Sequence, residues 1–395
     1  MEERLVFSER VLRLLGVWPL CGNDIMRTSL GRWCFAMLTQ ISTICSLSME
    51  VYRHCLDMDD TMDAFVMDLS SVICLSKVLI LRYNWKHTYS LVNTIAEDWS
   101  TVEDSRHRRI MAEYREKGRF VSSTMLYLGY ASGLSFVVKA LPIHDLLPFQ
   151  MLENSENSTG RVGQSPKKNY FMATYCVFGP QPFTRRAFVL VVQAVCIFVN
   201  AIGHCGNDGF FFSLTMHLCG QFEVLKMNLG EIEIGKAGHR RRMGMLVKRH
   251  CRLILLADDL EKSFNMVMLV QLLMSLLLLC VEDFMVLVYL NSMDNVAVLK
   301  CLVIIVTLLT QLYVYTYAGH VLESRTEEIS YAAYDSPWYR SRGHAARDLA
   351  LIINRGNSPY RITAGRFVSM NLVTFKEILK ASVSYMSVLK VMMDT

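Results

Sequence analysis

The sequence is poor in charge and in proline, and it lacks the short motifs on which catalysis is usually built. Lys, Arg, Asp and Glu make up 19% of its 395 residues, and only 8 are proline. Ordinary soluble domains carry about 25% charged residues, so a soluble globular fold is disfavoured. No GxSxG elbow, P-loop, GxGxxG or HExxH stretch occurs, and no paired carboxylates suit a pocket, so the chain reads as a non-enzyme without a cofactor. Its 12 cysteines show no CxxC spacing, which argues against a zinc site and against a dense disulfide framework. The formal charge of +5 is small for the length and does not point to nucleic acid. No long segment has a second copy, as the inverted repeats of many transporters would require. The opening "MEERLVFSERVLRLLGVWPL" breaks its apolar run with charge, so no secretory leader is expected and the N-terminus is expected in the cytosol.

What the chain has is apolar length. Hydrophobic residues make up 52% of it, and its mean hydropathy is +0.27. Crossing about 30 Å of hydrocarbon takes roughly 20 apolar residues. Seven stretches qualify, at approximately 31–52, 62–82, 118–140, 186–206, 264–290, 296–320 and 366–392. An eighth crossing is open if "SFVVKALPIHDLLPF" re-enters the membrane, although Pro142, Asp145 and Pro148 favour a loop.

Basic residues divide unequally between the connecting segments. The segments before the first span and at 82–119, 207–263 and 323–365 hold about 27 Lys and Arg, against about five in the alternate ones. The positive-inside rule then places the N-terminus in the cytosol and, after seven crossings, the C-terminus outside. Asn157 opens an Asn-Ser-Thr glycosylation acceptor in the 141–185 loop, which this topology also places outside. Cys55 and Cys176 fall on the same side, and a bridge between them is left open.

The basic segments repeat apolar residues at helical spacing. The spans are therefore expected to continue as helices into a packed intracellular layer, with breaks at Gly235–Gly238 and at "NRGNSPY". The run "HRRRMGMLVKRH" reads as a solvated face near anionic lipid, with a partner site as the alternative. In "GHCGND", His204, Cys205 and Asp208 are close in sequence, but on a helix they point apart. A packed polar patch explains them more simply than a metal site.

"EISYAAYDSPWY", followed by "FVSMNLVTFKEILKASVSYMSVLK", resembles the C-terminal signature of insect odorant receptors. Asp335, Ser336 and Trp338 fill the first part of that signature and Phe375 through Leu389 the second. Lys77, Gln193 and "HLCGQFEVL" extend the likeness along the chain. The resemblance implies an all-α membrane protein with seven transmembrane helices, acting as a subunit of a ligand-gated nonselective cation channel. It further implies assembly as a tetramer with the family's co-receptor, in the plasma membrane of olfactory neurons.

The resemblance gives the final helix a role. Glu377, Lys380, Ser384, Ser387, Val388 and Val391 fall within one arc about 100° wide, while Phe375, Ile378, Leu379, Ser382, Met386 and Leu389 lie opposite. In the family this helix lines the pore, and dry constrictions gate by dewetting. Pairing of Glu377 and Lys380 with neighbouring helices, with Val388 and Val391 in ordinary packing, remains the alternative. Lys390 lies off the arc.

The family's cavity for small volatile odorants lies in the outer half of the bundle. Candidates at that depth are Val66, Leu69, Ser70 and Ile73; Tyr130, Gly133, Leu134 and Val137; Cys196, Val199, Asn200 and Gly203; and Ile304, Thr307, Leu308 and Gln311. Gly129 and Gly133 either bring two helices together or leave room for a ligand. The expected organisation is a six-span bundle over 1–320, then an anchor segment and pore helix over 321–395. Within the anchor, Trp338 and Tyr339 hold the intracellular layer or simply fill a packing gap. A G-protein-coupled receptor and a secondary transporter are the competing readings.

Overall fold

Long helices form here because the residues that break helices are displaced into the connections. Pro19, Pro182 and Pro359 lie between helices, and the helix before Pro337 ends at Asp335. The structure, a computed structural model, describes residues 6–19, 23–53, 58–140, 170–179, 181–231, 238–336 and 344–394. Asn157, Cys55, Trp338 and Tyr339 lie outside the described residues, as does the loop half of the re-entrant alternative.

In chain order the elements are α1 (Val6–Leu14), α2 (Asn23–Tyr52), α3 (Met58–Tyr83), α4 (Trp85–Thr101), α5 (Ser105–Ala140) and the single turn α6 (Tyr175–Phe178). Then follow α7 (Phe183–Gly230), α8 (His239–Asn291), α9 (Asn295–Asp335), α10 (His344–Gly356), β1 (Thr363–Ala364), β2 (Val368–Ser369) and α11 (Leu372–Asp394). Among the described residues, six helices are long and apolar enough to cross a membrane: α2, α3, α5, α7, α8 and α9. Each contains one of the first six expected spans. The expected division at 320 falls inside α9.

The helices greatly overrun the spans. At about 1.5 Å per residue, the 48 residues of α7 far exceed the hydrocarbon thickness, and the 53 residues of α8 do so as well. Their extensions form a charged layer with α4, α10 and the lower part of α9. There Arg325 bridges Glu223 at 2.8 Å and Glu328 at 2.7 Å, and Lys226 reaches Glu328 at 2.8 Å. The basic run at the start of α8 leaves Arg240, Arg241 and Arg242 exposed.

The expected seventh span, 366–392, starts six residues too early. Gly365 and Arg366 both have positive φ (59° and 66°) and turn the chain through the β1–β2 hairpin before α11 begins. The hairpin is fastened to α8: Gly365 N–H donates to Asn265 O at 3.0 Å, and Thr363 N–H donates to Glu261 Oε2 at 3.0 Å.

α7 is the central helix, packed along α5 and α9 and touching α1, α3 and α8. Most of its residues from Cys196 to Phe222 are buried. Phe211 stacks on Tyr315 of α9 (ring centroids 4.9 Å apart) and meets Phe264 of α8 at 5.1 Å, while Trp18 covers Phe210.

Candidate functional site

A cavity of about 80 Å³ lies where α3, α5, α7, α8 and α9 meet. Apolar and small residues dominate its wall: Val66 and Met67 from α3; Gly129, Gly133 and Phe136 from α5; Ile197 and Ala201 from α7; Leu278 from α8; Ile304 and Leu308 from α9. Ser70, Ser132, Asn200, His204, Cys205, Thr307 and Gln311 supply the polar atoms. That composition suits a small, mostly apolar guest oriented by a few polar contacts. The volume is below the roughly 150 Å³ of a cavity known to admit benzene, so a guest of volatile size must push the helices apart.

Most of the polar atoms are already engaged. Ser70 Oγ donates to Asn200 Oδ1 (3.0 Å), and Asn200 Nδ2 donates to Gln40 Oε1 (3.1 Å) and Ser71 Oγ (3.2 Å). Gln311 Oε1 accepts from Gln271 Nε2 at 3.0 Å. One turn from His204, Asp208 forms an ion pair with Lys77 at 2.5 Å, both side chains wholly buried, and accepts from Tyr315 OH at 2.5 Å. "GHCGND" is thus divided among separate neighbours. His204 faces α3, Cys205 faces Gly129 and Gln311, and Asp208 holds Lys77.

The structure brings together Val66, Ser70, Gly133, Asn200, Ile304, Thr307, Leu308 and Gln311 on the cavity wall. The remaining candidates lie elsewhere. Ile73 sits in the core, Leu69 and Val137 pack against it, and Leu134 is 58% exposed on the outside of α5. Tyr130 stacks on Phe198 at 5.2 Å, Cys196 points its sulfur toward Thr39 O, and Val199 is buried off the wall. Gly203 is pressed against Cys74.

On α7 the wall uses Ile197, Ala201 and His204 where the sequence reading used Cys196 and Gly203. That is a slip of one residue, about 100° around the helix. On α5 the wall takes Gly129 and Phe136 in the same way. Apolar and small residues fill most positions around these helices, so periodicity marked the inward face only to within about one residue. Leu278 was missed because α8 was not expected at the site. Gly129 and Gly133 stand at close helix contacts and also border the cavity. A methyl group added at Gly129 would meet Cys205 Sγ at 2.5 Å and one at Gly133 would meet Ile197 Cγ2 at 2.7 Å, and both glycines also line the cavity.

α11 is docked by one face only. Phe375 meets Tyr313 of α9 edge-on at 5.5 Å, Ile378 is buried, and Ser382 Oγ donates to Asp283 Oδ2 of α8 at 2.7 Å. Glu377, Lys380, Ser384, Val388 and Val391 are all exposed, Val388 by 55% and Val391 by 65%. The exposed surface is wider than their arc, since Val383, Tyr385 and Lys390 are uncovered too.

Near the membrane-distal charged layer, Asp98 of α4 is held by His217 at 3.1 Å and by Arg249 at 2.8 Å. Burial pushes the Asp98 carboxyl up, but the hydrogen bond and charge of His217 and the charge of Arg249 outweigh it and hold the carboxyl below its ordinary value. Cys176, following α6's first residue, is disulfide-bonded, and its carbonyl accepts from Arg53 at 3.1 Å.

Residues 57–383 match the model of the 7tm odorant receptor family. The chain belongs to that family. It is 22% identical over 369 residues to odorant receptor 22c of Drosophila melanogaster, covering 86% of this chain and 85% of that protein. To odorant receptor 10 of Aedes albopictus it is 26% identical over 304 residues, covering 74% and 72%. In fold it is similar to the insect olfactory receptor OR5 from Machilis hrabei in complex with eugenol, with a TM-score of 0.81 at 13% identity, covering 98% of this chain and 97% of that one. α11 is accordingly the seventh membrane helix of an odorant-receptor fold, and it carries five charged residues, Lys376, Glu377, Lys380, Lys390 and Asp394. The family is one of receptors and channels, and the chain is not an enzyme.

Proposed function

We propose that this family member is the odorant-recognising subunit of a ligand-gated, nonselective cation channel. A small volatile compound enters the cavity among α3, α5, α7 and α9, and α11 lines the ion path together with α11 helices of neighbouring subunits. The observation that carries this reading is the undocked face of α11. A charged and then apolar stripe, Glu377, Lys380, Ser384, Val388 and Val391, is exposed along one side of a membrane helix. Lipid is a poor neighbour for Glu377 and Lys380, whereas a shared aqueous axis suits them and leaves Val388 and Val391 as a dewetting constriction.

Coupling runs through α9 and α8. α9 supplies four wall residues and, through Tyr313, the ring against Phe375. α8 supplies Leu278 and, five residues on, the Asp283 that accepts from Ser382. A guest that spreads the small cavity strains both contacts, and it biases the pore by its differential affinity for the spread state. The topology that follows from the basic residues puts the N-terminus in the cytosol and the C-terminus outside, in the plasma membrane. The remaining subunits are those of the family's co-receptor.

Expression with that co-receptor in oocytes tests the reading. Odorant-evoked cation current that survives G-protein block, and whose conduction changes in Val388→Lys, supports it. A response abolished by G-protein block, or substrate-coupled uptake without channel current, overturns it in favour of a metabotropic receptor or a transporter.

A further inference from the structure

His204 lines the cavity, is 7% exposed, and its Nδ1 has no hydrogen-bond partner. Its other ring nitrogen is fixed. Nε2 lies 2.8 Å from the main-chain carbonyl oxygen of Ser70. A carbonyl oxygen only accepts, so Nε2 carries the hydrogen. Ser70 Oγ, 3.2 Å from Nε2, already gives its own hydrogen to Asn200 Oδ1. No carboxylate touches the ring, since Asp208 one turn away is occupied by Lys77 and Tyr315. A buried ring without a counter-charge is neutral, and Nδ1 then presents a bare lone pair.

We infer that the cavity selects neutral guests bearing a hydroxyl group, alcohols and phenols, which donate that hydrogen to His204 Nδ1. An orphaned buried acceptor is unfavourable until something donates to it. Of the other hydroxyls on the wall, Ser70 is bound to Asn200 and Thr307 donates to Val303 O at 2.8 Å, while Ser132 makes no hydrogen bond to the His204 ring. Ethers and ketones carry no hydrogen to give and leave Nδ1 unsatisfied. Amines and carboxylic acids are ionised near neutral pH and bring an unpaired charge into a nearly dry cavity. A hydroxyl also accepts, and Gln311, whose amide reaches only Cys205 Sγ at 4.0 Å, has hydrogens to offer it. This inference rests on the cavity being the ligand site of the proposed receptor.

The test measures ligand-dependent thermal stabilisation of the purified full-length chain in lipid nanodiscs, using isomeric pairs that differ only in the donor: 1-hexanol against 1-methoxypentane, and 2-methylphenol against anisole. The expected result is that each hydroxyl compound binds about tenfold more tightly than its isomer. In His204→Leu that ratio falls to about one while the ethers bind as before. Equal binding of both members of a pair in the unsubstituted chain overturns the inference and leaves the receptor reading standing, as does a preference that persists in His204→Leu. Binding of none of the four compounds removes the cavity as a ligand site, and the inference with it. The comparison in the unsubstituted chain decides the matter even if His204→Leu does not fold.

Discussion

Ser382 of α11 donates its hydroxyl to Asp283 of α8 across 2.7 Å, a polar contact between the last helix and the bundle two turns beyond the ring of Phe375. A double-mutant cycle with Ser382→Ala and Asp283→Asn should give a coupling of about 1 kcal/mol, the scale of hydrogen bonds between membrane helices. Hydrogen exchange reads it out: each single change should raise exchange in α11 around Ser382, and the second should add little. Additive effects would mean that the contact carries no energy.

The Lys77–Asp208 pair is wholly buried. Lys77→Met should destabilise the receptor by about 3–5 kcal/mol, because it leaves the carboxylate uncompensated, whereas Lys77→Met combined with Asp208→Leu should recover much of that loss. Melting temperatures in nanodiscs check the order. A double variant less stable than either single one would contradict it.

Gly319 of α9 lies where the chain entering α11 passes closest. A methyl group there would stand 2.0 Å from Met370 O, a main-chain atom that cannot rotate away. Gly319→Ala should therefore push the hairpin off α9 and lower stability by about 1–3 kcal/mol, whereas Gly31→Ala, with open space around it, should be neutral or slightly stabilising. Thermal melts of the two variants side by side make the comparison.

Asp98 gives the charged layer a sensitivity to acid. A carboxyl held below its ordinary value of 3.8 stabilises the fold fully above that value, and the contribution is lost as pH falls through the lowered one. The layer should thus weaken as pH falls below about 4. In Asp98→Asn the acid-dependent step should shrink, as followed by melting temperature against pH. An unchanged profile would assign the step to other groups.

Leu308 faces the small cavity from α9 and is buried. Leu308→Ala should enlarge the space, shifting preference within a straight-chain alcohol series toward longer members at about 0.8 kcal/mol per methylene newly accommodated. The affinity profile against chain length checks this, and a profile that falls off at the same length would place Leu308 off the binding path.

The amino-acid order by itself determined the long helices. It placed proline only in the connections and apolar length everywhere between, which set all six long spans, their extension beyond the membrane and the break before α11. It also determined the two faces of α11 and the cavity face of α9, where Ile304, Thr307, Leu308 and Gln311 all reach the wall, because polar residues mark a direction on those helices. On α5 and α7 only the tertiary structure decided. Apolar and small residues fill most positions around both helices, so the period marked the inward face only to within about one residue, and a rotation of that size exchanged Cys196 and Gly203 for Ile197 and His204. The same is true of the joining of Lys77, Asp208 and Tyr315, which lie far apart in sequence and meet only because buried charge must find its partner once the helices have packed.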